Sequence, residues 1–62
     1  MKLPPNLFVA LRLDYSLKEL GYNFVVMLGD IKRMRLFRGR GQTEDEATLD
    51  ALHEFEMEFP NG

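Results

Sequence analysis

With no cysteine and a single histidine, His53, this chain of 62 residues has no covalent or metal staple available to it. At that size a core barely offsets the entropy of ordering the chain. No disulfide can form, and one histidine does not supply the set of soft ligands that structural zinc needs. A single domain over residues 1–62 is expected, and the staple left over is subunit association, so a homo-oligomer, a dimer in the first instance, is expected with it. Hydrophobic residues make up 45% of the chain, more than so small an interior can hide, which places some of them at an interface.

The carboxy-terminal helix is the most strongly specified element. Thr43-Glu44-Asp45-Glu46 reads as a capping box, with Thr43 as cap and Glu46 reaching back to its amide, and three acids in the first turn complement the helix dipole. At about 100° per residue, Ala47, Ala51, Leu52, Phe55 and Phe59 gather on one arc, opposite Glu46, Asp50, His53, Glu54 and Met57. Pro60-Asn61-Gly62 ends the helix.

Residues 22–28 and 31–37 are two runs rich in β-branched, aromatic and long apolar residues, separated by Gly29-Asp30, a two-residue hairpin signal. That register sets Leu28 opposite Ile31, Val26 opposite Arg33, Phe24 opposite Arg35 and Tyr22 opposite Phe37, all on one side. Val25, Met27, Met34 and Leu36 share the other side, which reads as core.

Residues 7–20 are read as a helix capped by Asn6, with Asp14 and Lys18 paired at i,i+4 and Gly21 at the carboxy-terminal cap. Its apolar residues fall on two arcs, so one should meet the second helix or another copy of the chain. The competing reading makes residues 7–13 a strand, followed by a short helix opened by a second capping box, Ser16-Leu17-Lys18-Glu19. The fold class expected is α+β, a helix, a two-stranded antiparallel hairpin and a helix.

Charge divides the chain. Lys32, Arg33, Arg35, Arg38 and Arg40 fall within residues 30–41 beside one acid, Asp30, whereas residues 43–62 hold seven acids and no Lys or Arg. The net charge of −2 thus covers a cationic hairpin and an anionic helix, each able to recruit an opposite partner. Tyr22, Phe24, Arg33 and Arg35 on the expected ribbon face, with Arg38 and Arg40 from the same basic stripe, are the candidate partner-binding residues, since arginines and aromatics are the usual interface anchors. The bland alternative is a strand edge protected by charge. Single-stranded nucleic acid is a second possible partner, although the acidic pI of about 5.2 argues against a dedicated nucleic-acid binder. A small-molecule-binding oligomer is a third reading.

No catalytic, cofactor or metal signature stands out. His53 has Asp50 and Glu54 nearby but no second histidine or nucleophile, so an exposed helix residue is the simpler account and no enzymatic activity is expected. Met1-Lys2-Leu3-Pro4-Pro5 lacks the apolar stretch of a signal peptide, and no run approaches the roughly 20 apolar residues of a membrane span, so a cytosolic location is expected.

Two resemblances follow from these motifs. The segment Gly39-Arg40-Gly41-Gln42-Thr43-Glu44-Asp45-Glu46-Ala47 is similar to the last strand-to-helix junction of double-stranded-RNA-binding domains, which show Gly-x-Gly, then Ser or Thr, then a Lys-Lys-x-Ala helix start. The lysines there hold phosphate, and Glu44 and Asp45 here would repel it, so the similarity covers turn and cap chemistry only. With Gly41-x-Thr43-x-x-x-Ala47-x-x-x-Ala51-Leu52 leading the last helix, the expected order over residues 7–56 resembles small phage and prophage α/β/α sandwich domains, and also a phage head-completion protein. The resemblance carries no site residue. It implies a setting, a phage or mobile-element protein that binds a host protein as an inhibitor or a virion protein during assembly.

Overall fold

Residues 7–14 form a strand, which overturns the helix–hairpin–helix expectation at its first element. The computed structural model describes residues 3–14 and 23–61. In chain order these form β1 (Leu7–Asp14), β2 (Phe24–Asp30), β3 (Arg35–Gly41) and α1 (Glu44–Glu58). The three strands make one antiparallel sheet in the order β1-β2-β3, and α1 lies over β2 and β3. The fold is therefore β-β-β-α. The strand that the competing reading placed at residues 7–13 is present; Ser16, Lys18, Gly21 and Tyr22 lie outside the described residues.

The cues for a first helix were real but small. A cap and an i,i+4 pair contribute on the order of 1 kcal/mol and 0.5 kcal/mol, and an isolated helix of that length is marginal in water. Pairing with β2 runs from Leu7 to Asp14, interrupted only at a bulge, and ties one side of the strand's backbone into the sheet. The apolar residues that no helix could bury at once divide between the two faces of the strand, Leu7 and Val9 on the α1 side and Phe8, Leu11 and Leu13 on the other. Asn6 caps nothing here; its carbonyl accepts a hydrogen bond from the Ile31 amide at 3.0 Å.

The hairpin exists, but its turn lies beyond Gly29-Asp30. Strand β2 runs through Asp30, and Leu28 pairs with Phe37, Val26 with Gly39, Phe24 with Gly41 and Asp30 with Arg35. Ile31, Lys32, Arg33 and Met34 form the loop, held by Asp30: one carboxylate oxygen accepts from the Lys32 and Arg33 amides at 2.9 and 3.1 Å, and the other from the Arg33 guanidinium at 2.9 Å. The Asp30 carbonyl also accepts from the Met34 amide at 2.8 Å. Aspartate organises the loop that follows it rather than sitting in its centre. The register differs from the expected one by an even number of residues, so each strand residue keeps its companions while the two faces exchange roles.

The core lies between the sheet and α1. Leu7, Val26, Leu28, Phe37, Ala47, Ala51 and Phe55 pack there, flanked by Phe24, Leu52 and Phe59. Phe37 and Phe55 meet edge to face at 5.5 Å. The face expected to be core, with Met27 and Leu36, is the one α1 does not cover. The capping box forms as read: the Thr43 hydroxyl accepts from the Glu46 amide, and the Glu46 carboxylate from the Thr43 amide, each at 3.1 Å. Thr48, missed in the sequence because it is polar, is buried and donates its hydroxyl to the Glu44 carbonyl at 2.8 Å. A β-carbon on Gly39 would run into the backbone of Ala47 and Ala51, so glycine here and alanine there set the distance between helix and sheet. Among the described residues no helix is long and apolar enough to cross a membrane.

Candidate functional site: the open face of the sheet

Strict alternation from Leu7 would send Leu11 and Leu13 to the helix side. A bulge intervenes. The pairing shifts between Val9 and Leu11, leaving Ala10 without an opposite residue on β2, and the phase of the strand changes there. Arg12 turns to the helix side, where it pairs with Glu44, and Leu11 and Leu13 turn to the face away from α1.

That face consists of three cross-strand rows. Phe8, Gly29 and Leu36 form the first, Leu11, Met27 and Arg38 the second, Leu13, Val25 and Arg40 the third. Each row is apolar on β1 and β2, and two of the three end in an arginine on β3. The helix side carries the complementary rows, Val9, Leu28 and Phe37 among them. Much of this face is exposed, Phe8 at 44%, Leu11 43%, Leu13 37% and Leu36 59%, whereas Val25 in the third row is buried and Met27 half-buried. Ile31 and Met34 extend it at the hairpin end with 66% and 86%. Contiguous exposed apolar side chains rimmed by charge mark binding surfaces in monomeric proteins.

Of the six residues that the sequence suggested for partner binding, the structure keeps Arg38 and Arg40 on this face. Phe24 is half-buried on the helix side and packs against the core, and Tyr22 lies outside the described residues. Arg33 and Arg35, expected on an exposed ribbon without structural duty, are engaged with the fold. Arg33 pairs with buried Asp30 and stacks 4.3 Å from the Phe59 ring centre, while Arg35 pairs with Glu58 and lies 5.7 Å from the Phe37 ring centre. Ile31 and Arg33 belong to the loop, so neither faces Leu28 or Val26. Phe8, Leu11, Leu13 and Leu36 were missed. The alternation Leu11-Arg12-Leu13-Asp14 was the available signal, hidden because the bulge breaks its phase with Leu7 and Val9.

The electrostatics follow the same division. The Asp30 carboxyl titrates below its ordinary range: desolvation, the largest influence, pushes it up, but the Arg33 side-chain and backbone hydrogen bonds, the Arg33 charge and the Lys32 amide together outweigh it. Along the outer edge of β3, Arg38 and Arg40 share a groove with Asp50, Glu54 and Glu58. Asp50 accepts a hydrogen bond from the Arg40 amide at 3.0 Å, so this edge is blunted by charge and side-chain pairing. These three acids of the anionic helix are thus set among cations of the same chain. His53 is exposed on the outside of α1.

No protein-family model, no curated protein and no solved structure matches the chain. Of the features behind the phage-domain resemblance, the Gly41, Thr43, Ala47, Ala51 and Leu52 pattern leads α1, whereas a strand stands at residues 7–14 where a helix was expected.

Proposed function

We propose that this chain is a non-catalytic protein-binding domain that docks through the open face of its sheet onto a partner surface combining apolar and acidic groups. The observation that carries this reading is the set of three in-register rows, apolar on β1 and β2 and ending on β3 in Leu36, Arg38 and Arg40, on the side of the sheet that α1 does not cover. An apolar centre supplies affinity and peripheral arginines supply orientation and discrimination. A nucleic-acid surface would favour stacking aromatics along a cationic track; here the interior of the face is aliphatic and acids line the adjoining edge. Host-protein inhibition or virion assembly, the roles implied by the phage likeness, would each use such a face. With no partner present, a second copy of the chain would cover it, which accounts for the homodimer expected from size.

Affinity capture with two double variants tests the proposal. Leu11→Ser/Leu36→Ser should stay folded, lose the captured partner and sediment as a monomer. Arg33→Ala/Arg35→Ala should lower the melting temperature, because both arginines brace the aromatic cluster, yet retain the partner below that temperature. Undiminished capture by the leucine variant would refute the assignment.

A further inference from the structure

The open face is not uniform. At its hairpin end Phe8, Gly29, Ile31, Met34 and Leu36, together with Asp30 and Arg35, line a pit of about 270 Å³. Gly29 forms the floor: a β-carbon there would lie 2.5 Å from Cζ of Phe8, so the aromatic ring rests on bare backbone. A pit of this size lies at the lower end of the roughly 300–1,000 Å³ typical of small-molecule sites and has room for one large side chain.

Met34 is the most informative wall residue. It has φ 57°, the left-handed conformation in which glycine or asparagine is at ease and a long side chain is disfavoured. It is also 86% exposed, so the thioether contributes nothing to the core that would explain its presence. A strained position occupied by a side chain the fold does not use points to a role outside the fold, and methionine is the adaptable apolar residue of binding surfaces.

The surroundings set the charge of the ligand. The charges in the lining itself are already paired, Asp30, buried, with Arg33 and Arg35 with Glu58. Beyond the lining, Lys32 in the hairpin loop and Arg38 in the next cross-strand row have no ion pair among the described residues. We propose that this pit anchors the docking face by receiving one aromatic or leucine-like side chain from an acidic segment of a protein partner. This rests on the protein-binding reading above and narrows it to an anchor and a chemistry. A concave site with a closed floor favours an inserted side chain over a bilayer, which would call for a protruding apolar tip.

The test uses the chain labelled at its methionine methyl groups, with three reporters: Met34 in the pit, Met27 in the middle of the face and Met57 on the outside of α1. The probes are a short peptide alternating glutamate and phenylalanine, its glutamate–serine and lysine–phenylalanine counterparts, phosphatidylserine vesicles and a single-stranded oligonucleotide. The acidic aromatic peptide should shift the Met34 resonance saturably and leave Met57 unmoved, with affinity at least about tenfold above either counterpart. Met34→Gly should melt higher than the parent and bind that peptide more weakly, since it relieves the backbone while removing a wall. Equal binding of the glutamate–serine peptide, no movement of Met34, or a preference for vesicles or oligonucleotide would overturn the proposal. Movement of Met27 without Met34 would sink the pit and leave the docking face standing; movement of Met57 alone would sink both.

Discussion

Gly39 is the residue on which the helix–sheet distance depends. Its missing β-carbon lets the α1 backbone at Ala47 and Ala51 lie against β3. Gly39→Ala meets backbone rather than a yielding side chain, so it should cost about 3 kcal/mol, the upper part of the usual overpacking range, measured by denaturant unfolding. A loss below about 0.5 kcal/mol would mean that the helix is not seated there. Asp30 gives a pH signature. Its folded-state carboxyl is a stronger acid than the unfolded one, so its contribution is complete above about pH 5 and is lost as pH falls through about 4 and below. Asp30→Asn should therefore lower stability at neutral pH and narrow its difference from the parent in acid; a difference that widened in acid would contradict the assignment. The role of Asp30 was not legible in the sequence, where Gly29-Asp30 resembles a tight turn. A carboxylate can either occupy a turn or organise the next one, and only the pairing of Leu28 with Phe37 decides between them.

Ala10 decides which face β1 offers. Because it has no opposite residue on β2, deleting it leaves each cross-strand pair of β1 and β2 in place, and the domain should remain folded with a small change in melting temperature. Were residues 7–14 helical, the deletion would rotate everything after it by about 100° and scatter the apolar arcs. Global unfolding on deletion would thus count against the strand. Elements differed in legibility for the same physical reason. Helix α1 was readable because its signals are local: Thr43 and Glu46 bond to each other's backbone, and Ala47, Ala51 and Phe55 recur on one arc. Strand β1 was not, since its identity depends on pairing with distant β2 and its alternation is interrupted at Ala10. In the hairpin, companions on each face were legible from the two-residue period, whereas which face is inside depended on where α1 lands.

On the scale of the molecule, among the described residues one helix covers one side of a three-stranded sheet, and the other side carries apolar rows with a cationic border. The charge split visible in the sequence is partly spent within the fold. Arg12 meets Glu44, Arg35 meets Glu58, and Asp50 lies on the β3 edge. What remains directional is Arg38 and Lys32 beside exposed Leu36, Ile31 and Met34. The docking proposed above takes place on this side. Hydroxyl-radical footprinting of the chain, alone and with its captured partner, measures it directly. The account predicts protection of Phe8, Leu11, Leu36 and Met34, with Leu49, His53 and Met57 on the outside of α1 unchanged. Protection of Leu49 and Met57 with Phe8, Leu11 and Leu36 unchanged would contradict it.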